Sequence, residues 1–132
     1  MNNQNGSTQD IIQRFVLGMK DKKDEEIQRS SESLVFEFRQ FVPKRFWGEI
    51  WKCVVIRAYK AGYAHPQIAT LCLGLKDFAL SVVPEDQFNF VVENISKGYL
   101  YNNRNFSDYA GIVLKIKKLN FAELDEGIIS GE

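Results

Sequence analysis

Residues 44–62, KRFWGEIWKCVVIRAYKAG, decide the fold class, because their apolar side chains recur with the spacing of one helical face. Five of these side chains share one side of a helical projection: Trp47, Ile50, Trp51, Val54 and Ala58. Gly62 suits the position just past a helix end. The stretch therefore predicts a helix over about residues 44–61.

Helical spacing extends towards the N-terminus. Apolar residues recur every three or four positions from Ile11 to Met19, and Thr8 is a candidate N-cap. The charged run KDKKDEEIQR, residues 20–29, continues with helix-forming residues. The serine-rich residues 30–33 can cap a second helix that ends before Pro43. Its candidate apolar face is Leu34, Val35, Phe38, Phe41 and Val42. Part of this second segment, VFEFRQF, also alternates as a strand would.

Prolines and glycines mark the next two helices. Pro66 suits a first helical position, and the helix it starts is expected to run to Val82. This fourth helix has few polar side chains, which places it at the centre of a bundle. Pro84, followed by two acidic residues, starts a fifth helix that stops at Gly98.

The segment after Gly98 has two interpretations. Ser107 can cap a final helix, whose apolar face would be Tyr109, Ile112, Val113, Ile116 and Leu119. The alternative is a short hairpin near residues 99–106 followed by a strand, because YLYNNRNF is rich in turn residues and KIKK alternates.

Together these segments predict an all-α fold, a single compact bundle of five or six helices. The helical domain is expected over residues 9–120. Residues 1–8 are polar and predict a flexible arm, and residues 121–132 predict an acidic, semi-ordered tail. A chain of 132 residues can bury a core without a disulfide or a metal.

Charge and hydropathy narrow the functional classes. With 17 basic and 17 acidic residues the net charge is zero, which excludes a globally polycationic protein. Residues 39–76 nevertheless hold seven basic residues against Glu49 alone, a net charge of +6. The sequence has no charged-then-apolar leader and no apolar run of about 18 residues. We therefore expect a cytoplasmic protein with no membrane partner.

The residue types that perform catalysis do not form a recognisable set. His65 is the only histidine of the sequence. Its position directly before Pro66 indicates a turn or helix-capping residue. Cys53 and Cys72 lie in apolar runs, which predicts that both are buried thiols. The glycine-rich phosphate-loop pattern is missing from the sequence. We therefore expect no enzymatic activity, no cofactor and no metal.

The third helix carries the candidate functional residues. Its tryptophans fall on the apolar side, whereas most of its cations fall on the other side, with Glu49 among them. We call this second set the basic strip: Arg45, Lys52, Ile56, Arg57, Tyr59 and Lys60. Arg57 lies at its border. Binding of single-stranded nucleic acid needs exposed aromatic rings beside cations. Tyr59 is the aromatic residue of the basic strip, and Tyr63 at the helix end is a second candidate.

Three interpretations of the basic strip follow. It can be a solvated face over a core, or it can dock an acidic protein partner with Ile56 and Tyr59 as anchors. It can also contact phosphates through its four cations. We favour a small non-enzymatic protein that binds a protein partner in a regulatory, adaptor or complex-subunit role. The alternative is a small helical subunit of a ribonucleoprotein or regulator that binds the nucleic-acid backbone. Self-association into a homo-oligomer is compatible with either function.

Overall fold

The computed structural model describes residues 8–100 and 102–112. Within these ranges it contains seven α-helices and one 3-10 helix, at Lys44–Phe46, and no strand. The α-helices are α1 Thr8–Met19, α2 Asp24–Phe38, α3 Trp47–Ala61, α4 His65–Gly74, α5 Lys76–Ala79, α6 Glu85–Ser96 and α7 Asn103–Ile112. The predicted all-α class is confirmed, with one helix more than the upper expected number.

Helices α3 and α4 form the interior of the bundle. Helix α3 packs against α1, α5 and α7, whereas α4 lies against α2 and α6, and the two inner helices also contact each other. Trp51 of α3 is fully buried, with its ring beside the rings of Phe88 and Phe106. The central position expected for the fourth helix is thus observed, and α3 shares it.

The C-terminal end of α3 is fixed by a glycine and a tyrosine. Gly62 has a φ of 90°, and the N–H of Tyr63 donates to the carbonyl of Ala58, which ends the helix as predicted. The buried hydroxyl of Tyr63 donates to the carbonyl of Val16 at 2.6 Å. Burial raises the pKa of Tyr63 to about 12. This bond ties α1 to the α3–α4 corner.

The second helix begins earlier than the sequence predicted. Residues 20–23 form a turn, and α2 starts at Asp24, whose acidic neighbours suit the positive end of the helix dipole. Ser31 caps nothing; it is buried within α2, where its hydroxyl donates to the carbonyl of Ile27 at 2.7 Å. Phe41, expected on the buried face, is exposed.

The fourth predicted helix is broken. It ends at Gly74, and α5 follows after Leu75, whose φ of −95° and ψ of 14° turn the chain. Leu75, Phe78 and Ala79 are all fully buried, and their spacing is that of one helical face, so the buried side of the segment continues across the turn.

The alternative hairpin near residues 99–106 is wrong for the described residues of that segment. Residues 97–100 form a turn, in which Gly98 has a φ of 81°, and α7 then begins at Asn103. The side-chain oxygen of Asn102 accepts a hydrogen bond from the N–H of Asn105 at 2.8 Å. Asn102, and not the predicted Ser107, therefore caps the N-terminus of α7.

Several sequence predictions fall outside the described residues. Of the predicted arm, residues 1–8, the structure describes Thr8, which begins α1. The acidic tail at residues 121–132 and the part of the last predicted helix after Ile112 lie outside the described residues.

Candidate functional site

The tryptophans of α3 point away from the basic strip. Trp51 is fully buried, and Trp47 is half-buried, with its ring stacked on that of Phe78 at a centroid distance of 5.3 Å. The indole N–H of Trp47 donates to the carbonyl of Val42 at 2.9 Å. Both rings therefore serve packing between helices.

The structure divides the basic strip. Arg45 and Lys60 are exposed, while Lys52, Ile56, Arg57 and Tyr59 are half-buried. Arg45 and Lys60 are fifteen residues apart in the chain, or about 22 Å along a helix. The six residues do not form one continuous exposed surface, and their role in binding stays a prediction.

The aromatic end of the basic strip packs on α7. The ring of Tyr59 lies 6.4 Å from that of Phe106, and burial raises the pKa of the Tyr59 hydroxyl. Ile56 packs at the edge of the core. Glu49, which the helical projection placed among the cations, is buried.

The other end of the basic strip contributes to a groove. Arg57, Lys60 and Ala61 of α3 line it together with Gln13 and Leu17 of α1, and its volume is about 290 Å³. We call it the α1–α3 groove. Both of its charged lining residues are cations. Its apolar residue, Leu17, is 56% exposed although it belongs to a well-packed helix.

Arg57 connects the two walls of the α1–α3 groove. Its guanidinium donates a hydrogen bond from Nη1 to the side-chain oxygen of Gln13. The side chain of Lys20 reaches to within 3.6 Å of the position that a Cβ on Gly62 would occupy, and Gly62 directly follows the lining residue Ala61. Lys20 therefore adds a third cation near the groove, and Asp21 is the acidic residue of the same turn.

A second group of cations lies at the opposite end of α3. The Arg39 guanidinium and the Lys44 ammonium lie 5.7 Å and 6.0 Å from the ring centroid of Trp47. Arg39 also pairs with Asp77 at 3.5 Å, and Arg45 lies 4.7 Å from the ring of Phe46. These cations have aromatic or acidic neighbours, whereas Lys60 lines the α1–α3 groove from an exposed position.

The cysteines are poorly suited to nucleophilic chemistry. Burial raises the pKa of both thiols, that of Cys72 to about 12, so that thiolate is scarce near neutral pH. Among residues 8–100 and 102–112, no cluster of three or more His, Cys, Asp or Glu side chains could hold a metal ion. No helix in the described part of the chain is both long and apolar enough to cross a membrane.

Comparison of the chain with protein-family models, with curated proteins and with solved structures gives no match.

Proposed function

We propose that the protein is a non-enzymatic binding module that holds an acidic, partly apolar segment of another protein in the α1–α3 groove. The observation that supports this most is the combination of Leu17, 56% exposed, with Arg57 and Lys60 along one groove. Arginine is among the residue types that most often dominate the binding energy of protein interfaces, and burial of an exposed leucine adds hydrophobic free energy.

The charges of the groove indicate the chemistry of the ligand. Arg57 and Lys60 are the charged residues that line the groove, and Lys20 lies beside Gly62, which follows the lining residue Ala61. Opposite charge on the ligand would speed its encounter with the groove and exclude basic competitors. Leu17 would then pack against an apolar side chain of the same segment, which supplies the hydrophobic part of the affinity.

The aromatic residues favour a protein ligand over a nucleic acid. A single strand binds where exposed rings lie beside cations, so that bases stack while phosphates are neutralised. Trp51 is buried, and Tyr59 packs on Phe106 of α7. None of the described residues that line the α1–α3 groove is aromatic.

A titration of the isotopically labelled protein with an amphipathic peptide of leucine and glutamate tests the proposal. We expect amide chemical-shift changes to cluster at residues 13–19 and 57–61. Lys60→Glu should weaken the binding by about tenfold, because a like charge replaces an attractive one in the groove. Lys97→Glu, a change at an exposed residue directly after α6, is the matched control and should leave the affinity unchanged.

The same protein is titrated with single-stranded RNA and DNA at low salt. Binding of nucleic acid that Lys60→Glu abolishes and that falls steeply with salt would overturn the proposal in favour of phosphate recognition. Peptide-induced shifts centred on residues 39–47 would also contradict it, since the ligand would then occupy the other basic end of α3.

A further inference from the structure

Residues 121–132, FAELDEGIISGE, have the composition of the ligand proposed for the α1–α3 groove. This acidic tail contains four acidic residues, no basic residue and four large apolar residues. The acidic residues are Glu123, Asp125, Glu126 and Glu132, and the apolar residues are Phe121, Leu124, Ile128 and Ile129. In the groove, both charged lining residues are cations, and Leu17 is exposed. The chain therefore carries an acidic, partly apolar segment of its own.

Helix α3 lies between the groove and the helix that leads to the acidic tail, because α1 and α7 both pack against it. The ring of Tyr59 lies 6.4 Å from that of Phe106 on α7, and the next residue, Lys60, lines the groove. Ile112 follows Phe106 by six residues, or about 9 Å along the helix axis. The eight residues 113–120 can span roughly 26 Å when extended. A helix is about 10–12 Å wide, so the acidic tail can reach the groove whichever way α7 runs along α3.

Part of the outer face of α3 is covered. Glu49 precedes Trp51 by two residues, so the two side chains point to nearly opposite sides of the helix. Trp51 is fully buried in the core, yet Glu49, which points away from that core, is only 8% exposed. Ile56, seven residues after Glu49 and on the same face, is half-buried. A segment that crosses the outer side of α3, from α7 towards α1, accounts for the burial of both residues.

We propose that the acidic tail docks in the α1–α3 groove of its own chain, and that the acidic segment of a partner binds by displacing it. The carboxylates of the tail face Arg57 and Lys60, and its apolar residues pack against Leu17. Tail and partner share one chemistry, so they compete for the same contacts. This inference rests on the proposed function, because it names the segment that regulates the same groove.

Attachment to the same chain makes a weak contact of the acidic tail effective. A short linker gives the tail an effective concentration of about a millimolar at the groove. A tail that binds with a Kd of about 0.1 mM then occupies the groove about nine-tenths of the time and lowers the apparent affinity for a partner about tenfold. Loss of the tail's charge should raise the affinity for a partner by a similar factor.

The affinity of the full chain for the leucine–glutamate peptide tests this competition. A tail variant, Glu123→Gln with Asp125→Asn and Glu126→Gln, removes three negative charges from the acidic tail. It should bind the peptide about tenfold more tightly than the unmodified chain, because the weakened tail no longer competes for the cations of the groove. Equal affinities of the tail variant and the unmodified chain would overturn the inference.

A control variant removes the same charge elsewhere. Glu85→Gln with Asp86→Asn and Glu93→Gln neutralises three exposed acidic residues of α6. Both variants reduce the overall repulsion of an acidic peptide equally, so the control should leave the affinity unchanged. An equal gain in affinity from the two variants would show that net charge, and not competition by the acidic tail, limits binding.

Cross-linking within the chain identifies the docked segment directly. A photoreactive phenylalanine at position 121, where it replaces the phenylalanine of the sequence, should form an adduct with residues 13–17 or 57–61. Mass spectrometry of a mixture of isotopically light and heavy chains should place both ends of the adduct in one chain. Lys60→Glu should remove the adduct, whereas Lys97→Glu should not.

Three results of the cross-linking would overturn the inference. The first is an adduct at residues 39–47, which would place the acidic tail at the other basic end of α3. The second is an adduct that joins a light to a heavy chain, because the groove would then hold the tail of a second copy. The third is the absence of any adduct from position 121.

The inference and the proposed function fail separately. Peptide binding in the α1–α3 groove that the tail variant leaves unchanged, without an adduct of the tail there, would overturn the inference and leave the proposed function standing. An adduct of the tail in the groove, with no binding of the peptide by the tail variant, would confirm that the tail docks and contradict recognition of another protein.

Discussion

Substitution of Trp51 by alanine is expected to lower the free energy of unfolding by about 4 kcal/mol, because it leaves a large cavity in the core. Trp51 is fully buried, and its ring centroid lies 6.1 Å from that of Phe88 and 5.7 Å from that of Phe106. One side chain thus joins α3 to both α6 and α7. Small domains have a total stability of about 5–15 kcal/mol, so the variant would be marginally folded.

Denaturant unfolding, followed by circular dichroism, measures this loss. Trp51→Phe is the matched control, since it keeps an aromatic ring beside Phe88 and Phe106 and removes much less volume. We expect it to cost less than half as much as the alanine variant. A loss below about 1 kcal/mol for Trp51→Ala would mean that α3 does not organise the core.

Gly74→Ala is expected to destabilise the protein by about 2 kcal/mol, although alanine favours helices. A Cβ on Gly74 would lie 2.4 Å from the Cβ of Ser31 and 2.7 Å from the backbone oxygen of Gln28. Backbone cannot move aside as a flexible side chain can, so α2 and α4 would have to separate. The two helices would then lose apolar contact along their shared surface.

Gly18→Ala is the control for this prediction and should have the opposite sign. A Cβ at Gly18 meets nothing within 4 Å, so the gain in helix propensity, up to about 1 kcal/mol, should appear as added stability. Thermal melts at low protein concentration compare the two variants without interference from self-association. Equal effects of the two substitutions would show that α2 and α4 are not in close contact at Gly74.

Helix ends that depend on local backbone conformation were predictable from the sequence. Gly62 and Gly98 adopt φ values of 90° and 81°, which few other residues tolerate, and each follows a helix that the sequence placed correctly. Pro84 directly precedes α6, as expected. Each of these residues constrains the chain at its own position, so no knowledge of distant contacts is needed.

Other boundaries depend on tertiary packing. The turn at Leu75 is not marked by the apolar periodicity, because Leu75 and Phe78 keep the spacing of one helical face and are both fully buried. The start of α2 did have a local signal, the acidic run at residues 24–26, but the serines at residues 30–33 competed with it as caps. In the structure the buried hydroxyl of Ser31 donates to a carbonyl within α2, so Ser31 is an interior residue of the helix and not its cap.

The candidate site was predictable only in part. The helical projection placed Arg57 at the border of the basic strip and Lys60 within it, but it could not identify α1 as the neighbouring wall of a groove. Glu49, placed among the cations, is buried. The available signal was Leu17, an apolar residue outside the buried face of its own helix.

Site-specific photo-cross-linking tests most directly whether the α1–α3 groove binds protein. A photoreactive phenylalanine is placed at position 17 or, as the control, at position 90, since Leu17 and Phe90 are 56% and 55% exposed. In nuclease-treated native lysate, we predict a defined protein adduct from position 17 that Lys60→Glu removes and Lys97→Glu does not. Equal adducts from positions 17 and 90, or an adduct that is insensitive to Lys60→Glu, would contradict the account.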